Sequence, residues 1–305
     1  MAISRAQLVK ELEPGLNALF GLEYKQYGEQ WTEIFDTETS DRAFEEEVML
    51  SGFASAPTKQ EGAGVVFDQA GETFTARYNH ETIALAFSIT EEAIEDNLYD
   101  RLAGRYTRAL ARSMANTKQV KAANVLNNAQ VTTVTGGDGV SLINASHPLA
   151  TGGTFSNVLA VAADLNETSL EQSLIDIGSF VDERGLKIAS TGRKMIIPKE
   201  LQFTAERIMK SPMRVGTADN DINAINNMGM VPEGYVVNNF LTDTDSFFLL
   251  TDIPNGLKMF VRSPIKTAME GDFDTGNMRF KARERYSFGF SDPRCVFGNG
   301  NLPTS

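Results

Sequence analysis

Residues 91–129 read EEAIEDNLYDRLAGRYTRALARSMANTKQVKAANVLNNA. Apolar residues recur in this stretch every three or four positions, which is the spacing of one face of an α-helix. These positions are Ile94, Leu98, Leu102, Tyr106, Leu110, Met114, Val120, Ala123 and Leu126. No proline interrupts them, and frequent alanines keep the helix propensity high. The stretch predicts a single helix of about 55 Å, which we interpret as a spine for the rest of the chain.

The same helix carries a basic face, because four arginines fall at i, i+4, i+7 and i+11. They are Arg101, Arg105, Arg108 and Arg112. Like charges at this spacing destabilise an isolated helix, so we expect an anionic group to meet them. Three interpretations remain open: a solvated face, a contact with another subunit or domain, and nucleic acid.

Length and composition are those of a globular protein. The chain has 305 residues, of which 42% are hydrophobic and 22% charged, enough for about two domains. No apolar run reaches the roughly 18 residues of a membrane-spanning helix, and the amino terminus does not resemble a secretory signal. The single cysteine, Cys295, excludes an intramolecular disulfide and is predicted to be a small buried hydrophobe.

No stretch of the sequence resembles a catalytic site, and the charge of the chain limits what it can bind. Its net charge of −12 argues against tight, sequence-independent binding to DNA or anionic lipid. No known catalytic motif surrounds His80 or His147, and we assign His147 a structural role in its turn. The acidic turn at 272–276 lacks the final glutamate of a calcium loop, where Arg283 stands instead. We therefore expect no cofactor, no metal site and no enzymatic activity.

The amino-terminal half predicts a helix from Ser4 that Pro14 breaks, a second short helix, and an extended arm. Trp31, Ile34 and Phe35 are the apolar anchors of this arm, which we expect to contact something else. We predict that an excursion of the chain follows, in the form of a long two-stranded β-ribbon with a flexible tip. Its strand signals are the alternating stretches 73–78 and 83–89, and the tip is the Gly/Ala/Ser/Pro-rich stretch 51–71.

The remaining elements follow from capping and alternation. We predict helices at 166–185, capped by Asn166, and at 198–211, with strands at 194–197, 235–237 and 247–250. The last strand alternates most regularly. Its apolar face holds Phe280, Ala282, Tyr286, Phe288 and Phe290, interrupted by Glu284. Its opposite face holds Arg279, Lys281, Arg283 and Arg285.

Several local motifs, in this order, resemble the tailed-phage major capsid protein family. They lie at 61–68, 87–92, 97–99, 146–148, 193–198 and 286–294. The ending Phe-Gly-Phe-Ser-Asp-Pro-Arg, residues 288–294, is the most specific of them. The resemblance covers nearly the whole chain.

This resemblance implies an α+β, Hong Kong 97-like capsid fold. It implies the following division of the chain: an amino-terminal arm (1–40), an extended loop (41–85), a peripheral domain (86–190) with its spine helix (91–129), an axial domain (191–254), and a return through the peripheral domain (255–305).

The implied function is a major capsid protein that assembles into pentamers and hexamers of an icosahedral head around double-stranded DNA. The implied location is the virion, with assembly in the host cytoplasm and no membrane. A separate scaffold protein and a portal are expected as partners, DNA is contacted without sequence specificity, and a decoration protein is left open. The alternatives are an encapsulin-like compartment around protein cargo and, in another class, an α+β hydrolase.

Two groups of residues are candidates for contacts between subunits. We hypothesise that Glu45, Glu46 and Glu47, at the base of the extended loop, meet the basic face of the last strand or of the spine in an adjacent subunit. We also expect lysine at positions 46 and 47 to leave folding intact. Lys59 is the sole lysine between residues 41 and 79, and we do not expect it to form the cross-link that some family members make.

We predict that the extended loop, roughly residues 41–83, is mobile in the free subunit and ordered in the assembled shell. Its Gly, Ala and Pro content buries too little apolar surface to offset the entropy of ordering. Amide hydrogen exchange should therefore show that this segment exchanges rapidly in free subunits and is protected only in assembled shells. Equal protection in the two states would contradict the prediction.

Overall fold

The computed structural model describes residues 5–95, 99–214, 221–272 and 275–300. Its helices are α1 (Arg5–Gln26), α2 (Glu91–Glu95), α3 (Tyr99–Asn127), α4 (Glu167–Ile177), α5 (Gln202–Lys210) and α6 (Ala224–Met228). Its strands are β1 (Asp36–Thr39), β2 (Phe44–Leu50), β3 (Glu72–Asn79), β4 (Glu81–Ile89), β5 (His147–Pro148), β6 (Thr154–Phe155), β7 (Gly192–Ile197), β8 (Tyr235–Val237), β9 (Phe248–Thr251), β10 (Leu257–Gly271), β11 (Met278–Phe290) and β12 (Val296–Gly298).

The spine helix and a four-stranded sheet form the peripheral domain. The sheet has the strand order β1-β10-β11-β4, and its apolar face packs against α3. The buried face of α3 is largely alanine, with Leu110, Met114 and Leu126 as its large members. Such small residues let a helix and a sheet approach closely. Tyr106 and Val120, which we predicted on the buried face, are instead 49% and 38% exposed.

Helical structure at the spine agrees with the prediction over most of its length. α2 and α3 cover 91–95 and 99–127, and α3 ends two residues before the predicted position 129. Residues 96–98 lie outside the described part of the chain.

The prediction of a break at Pro14 was wrong, since α1 continues through this residue as one helix. Proline removes one helical hydrogen bond, at a cost of about 3 kcal/mol in a helix interior. Tertiary packing offsets this cost, because Leu16 and Phe20 are buried against α3 and β11. Ser4, the predicted start of the helix, lies outside the described residues.

The arm after α1 contacts its own chain, which corrects the expectation of an external partner. Trp31, Ile34 and Phe35 are buried in a core shared with α3, β10 and β11. β1 then adds to the edge of the peripheral sheet as a parallel neighbour of β10. Aromatic contacts hold this junction, with the rings of Phe35 and Phe288 5.1 Å apart in an edge-on arrangement.

The excursion is a ribbon of β2 and β3, with an exposed irregular tip at 53–71. Ala76 and Tyr78 of β3 are buried, as their alternation predicts. The predicted second strand, 83–89, belongs instead to β4, which pairs with β11 inside the peripheral sheet. The partner of β3 is β2, an acidic stretch that we had not predicted as a strand.

A second sheet, β12-β9-β7-β8, shares its core with α4, α5 and α6 and is called the axial domain below. It includes α4 and β12, which lie outside the range 191–254 that the resemblance implied. Strands β7, β8 and β9 lie within a residue or two of the predicted positions. Helix α5 begins four residues after the predicted start at 198, because a 3-10 turn (Lys199–Leu201) precedes it. Asn166 caps α4 as predicted, since its side chain accepts a hydrogen bond of 2.8 Å from the amide of Ser169. That helix ends at Ile177, earlier than predicted, and a turn at 182–185 follows.

We predict that Gly137→Ala destabilises the fold. An added Cβ would lie 2.7 Å from the carbonyl of Thr75 in β3. The backbone there must shift, at a cost of about 1–3 kcal/mol. Thermal unfolding should show this loss, whereas Gly64→Ala, where nothing lies within 4 Å, should change stability by less than about 0.5 kcal/mol. Equal melting temperatures for the two variants would contradict the close packing.

Candidate assembly surfaces

The three glutamates at the base of the ribbon have different surroundings. Glu45 accepts a hydrogen bond of 2.7 Å from the hydroxyl of Ser40. Glu46 is exposed and lies 3.8 Å from the guanidinium of Arg77 on β3. Glu47 turns inward, where it binds Lys258 and accepts a hydrogen bond from Ser291. Among the three, Glu46 is the carboxylate most open to another subunit.

The pair between Glu47 and Lys258 attaches the ribbon to the peripheral sheet. The side chain of Lys258 is 6% exposed and also lies 2.9 Å from Glu38 of β1. Burial by itself lowers the pKa of Lys258, but hydrogen bonds and charges from the two glutamates raise it overall. Lysine at position 47 would put two cations together in this site. Unlike reversal of Glu46, reversal of Glu47 is therefore expected to destabilise the fold, which revises the prediction made from the sequence.

The basic face of β11 lies on the outer side of the peripheral sheet, as predicted. Arg279, Lys281 and Arg283 are exposed, and Arg285 is half-buried. Arg279 donates a 2.5 Å hydrogen bond to Asp272, whereas Lys281 and Arg283 have no ion pair within the described ranges. Their register partners on β4 are small residues, namely Thr82, Ala84, Ala86 and Ser88. No bulky side chain of β4 therefore covers these cations on the outer side of the sheet.

The chain itself provides partners for part of the basic face of the spine. Arg108 lies 3.2 Å from Glu23 of α1, and the guanidinium of Arg112 lies 6.0 Å from the ring centre of Tyr27. Arg105 is exposed and has no ion pair in the part of the chain that the structure describes. The side chain of Arg101 lies outside that description. The anionic group that we expected to meet these arginines is thus supplied in part by Glu23 of α1.

A buried ion pair, which sequence reasoning had missed, joins α1, α3 and β11. Glu284 is 2% exposed, and its carboxylate lies 3.5 Å from the ammonium of Lys118. Tyr24 donates a 3.3 Å hydrogen bond to the same carboxylate. The ammonium also lies 5.0 Å from the ring centre of Trp31 and 5.4 Å from that of Tyr286. Burial raises the pKa of Glu284, although Lys118 opposes the shift.

A second buried cluster surrounds Arg294, the last residue of the most specific motif. Its guanidinium lies 2.6 Å from Glu183 and 3.3 Å from Asp292, and stacks 4.2 Å from the ring centre of Phe155. It also contacts Met49 at the end of the ribbon. Burial raises the pKa of Asp292, although Arg294 opposes the shift. The arginine thus joins the carboxyl-terminal motif to the 182–185 turn and to the ribbon.

The histidines and the cysteine have structural surroundings. His147 is buried between Asp138 and Asn157, at 2.6 and 3.1 Å. His80 bridges Ser40 and Ser287 where β3 passes into β4. Cys295 is buried, as predicted, and burial raises the pKa of its thiol. Within the described residues, no group of three or more His, Cys, Asp or Glu side chains could hold a metal ion.

A comparison with protein-family models matches residues 73–299 to the model described as phage capsid protein. This match includes the spine, the sheet β12-β9-β7-β8, three of the four strands of the other sheet, and Arg294 with its partners Glu183 and Asp292. The chain belongs to the phage capsid protein family. It is a major capsid protein of a phage head, and the match disfavours the encapsulin-like and hydrolase alternatives. A search of curated proteins finds no relative.

Solved structures share the fold at low sequence identity. The procapsid of bacteriophage JBD30 matches with a TM-score of 0.54 and 14% identity over 97% of this chain and 75% of that one. The capsid of an empty GTA particle matches with a TM-score of 0.54 and 11% identity over 88% of each chain. A virus-like particle from Pyrococcus furiosus matches with a TM-score of 0.51 and 10% identity over 94% and 98% of the chains. The fold is therefore the Hong Kong 97-like capsid fold.

Among the residues that the structure describes, no helix combines the length and the apolar character needed to cross a membrane.

We predict that Lys118→Met destabilises the subunit by about 3 kcal/mol near pH 7, because it leaves Glu284 buried without its counter-ion. The pKa of Glu284 then rises further above its unfolded value, and this penalty disappears as the pH falls through the folded pKa. Stability should therefore recover in part near pH 5.

Denaturant unfolding at the two pH values checks this prediction. Lys121→Met is the matched control on the same helix, because Lys121 pairs with an exposed partner, Glu81. It should change stability by less than about 1 kcal/mol at either pH. A loss for Lys118→Met that does not depend on pH would show that the ion pair is not its cause.

Proposed function

We propose that this capsid protein assembles with copies of itself into pentameric and hexameric capsomers of an icosahedral head that encloses double-stranded DNA. The observation that best supports this proposal is the exposure of three consecutive apolar side chains at the tip of the ribbon. Val65, Val66 and Phe67 are 68%, 69% and 94% exposed. Consecutive apolar side chains with this exposure mark an interaction site. In a shell, the surface that covers them belongs to an adjacent copy.

The base of the tip is held to its own subunit, which leaves the apolar tip free to contact a neighbour. Arg184 donates a 2.7 Å hydrogen bond to the carbonyl of Gln69 and lies 3.4 Å from Asp68. Asp68 in turn accepts a 2.7 Å hydrogen bond from the amide of Ala54. These contacts close the tip into a loop between residues 54 and 68.

The distribution of exposed charges indicates which surfaces meet in the proposed contact between subunits. Glu46 on the ribbon and the cations Lys281, Arg283 and Arg105 are exposed surfaces of opposite sign. Each exposed pair contributes only about 0.2–1 kcal/mol, but complementarity sets the register of the contact more than its affinity. We propose that Glu46 meets one of these basic surfaces on an adjacent subunit, and we assign Lys59 no cross-link.

Other partners follow from the same proposal. The net charge of −12 suits a wall that faces DNA without binding it tightly. A separate scaffold protein and a portal complete the head, a decoration protein remains open, and assembly takes place in the host cytoplasm. We assign the chain no catalytic activity. Electron microscopy of the purified protein, with and without a candidate scaffold, tests whether closed shells form.

We predict that Glu46→Lys blocks or misdirects assembly while leaving the subunit folded, because its partner Arg77 is itself half exposed. Sedimentation and electron microscopy should show free subunits or aberrant particles, with unchanged circular dichroism. Glu29→Lys, which reverses an exposed carboxylate away from the ribbon, is the control and should assemble normally. Shells of normal size and salt tolerance from Glu46→Lys would show that Glu46 faces solvent.

A further inference from the structure

The outer surface of the axial domain has an apolar groove between α4 and α6. The groove has a volume of about 460 Å³, and its lining includes Leu174, Ile175, Ile225 and Met228. Leu174 and Ile225 belong to the axial core, but Ile175 and Met228 are 63% and 69% exposed. An apolar surface of this kind outside the core indicates a binding partner.

The same domain exposes one large aromatic side chain on a different helix. Phe203 of α5 is 73% exposed. It lies on the side of the helix opposite to Ala205, which is fully buried against the axial core. Within the described residues of 191–254, no other aromatic side chain is classed as exposed. Phe203 is not part of the groove of its own chain.

One charge beside Phe203 and one charge beside the groove have opposite signs. Arg207 lies one turn after Phe203 on the same exposed side of α5. The other charges nearby form pairs within the chain, Lys199 with Glu200 and Lys210 with Glu206. The groove is bordered by Glu171, one turn before Ile175 on α4. Neither Arg207 nor Glu171 has an ion pair within the described part of the chain. Both charges are therefore available to a partner of opposite sign.

Two different surfaces that complement each other are the requirement for a head-to-tail contact, which closes copies of one chain into a ring. We infer that Phe203 of one subunit inserts into the α4/α6 groove of the next subunit, with Arg207 of the first beside Glu171 of the second. This inference rests on the proposed assembly into capsomers and assigns the axial surfaces that join neighbouring subunits. The occupant of the groove is a second copy of this chain.

A charge exchange tests the inference. Glu171→Lys and Arg207→Glu should each raise the protein concentration needed for assembly by about tenfold, and the double variant should restore it to near the wild-type value. Phe203→Ala should weaken assembly in the same way but should not be rescued by either charge change. Gln172→Lys adds the same charge to α4 at an exposed position whose side chain contacts Asp176 rather than the groove, and this matched control should assemble as the wild type does.

The outcomes separate this inference from the proposed function. Wild-type protein that forms no shells would overturn the function itself. The axial contact alone would be overturned if the wild type forms shells and the single variants assemble at the same protein concentration as the wild type. It would also be overturned if the double variant assembles no more readily than the single variants. Circular dichroism and thermal unfolding of each variant distinguish a lost contact from a lost fold. A variant that unfolds is replaced by the neutral substitution Glu171→Gln or Arg207→Gln. These neutral variants should show a smaller loss of assembly. An unchanged protein concentration for assembly would count against the contact.

Discussion

The ion pair between Lys118 and Glu284 is the interaction on which the peripheral domain depends. β11 buries one face against the spine, and that face carries a carboxylate in its middle. A buried charge without a counter-ion costs several kcal/mol, so α3 must present Lys118 at this depth. Tyr24 and Trp31 complete the surroundings of the pair, and they bring α1 and the arm to the same place. One electrostatic requirement thus fixes four segments of the chain.

Contacts of buried charged side chains also fix the strands of the ribbon, in contrast to its apolar tip. Glu47 binds Lys258 in the sheet, and Arg294 reaches Met49 from the carboxyl-terminal motif. The strands of the ribbon would be marginal alone, so these attachments determine where the ribbon leaves the subunit. The direction of the tip is therefore set by buried charges, while its contacts are left to apolar side chains.

Local patterns in the sequence were sufficient for the elements whose environment repeats regularly. The alternation of β11, the helix α3 and the cap at Asn166 each follow from neighbouring residues, and the structure confirms these three elements. The predicted apolar face of α3 is confirmed only in part, because Tyr106 and Val120 are exposed. β10 was missed because Pro264 and two irregularities in its register interrupt the alternation. The continuity of α1 depends on packing that no local signal reports.

The candidate site was less predictable, because its contacts join distant parts of the chain. Glu47 and Lys258 are 211 residues apart in sequence, and nothing near either residue identifies the other. The run of three glutamates looked like one acidic surface. In a strand, however, successive side chains point to opposite faces, which separates the exposed Glu46 from its neighbours on either side. Treating 44–50 as a strand would have made this distinction from sequence.

The division between buried and exposed charges has a consequence for how a shell forms. The pairs at Lys118, Lys258 and Arg294 are buried and join distant segments within each subunit. The exposed charges are individually weak, and salt weakens them further. Contacts of this kind between proposed neighbours can dissociate one at a time, so a misplaced subunit can leave, whereas many acting together hold a closed shell. Strong contacts within each subunit and weak, repeated contacts between subunits would therefore permit correction during assembly and stability after closure.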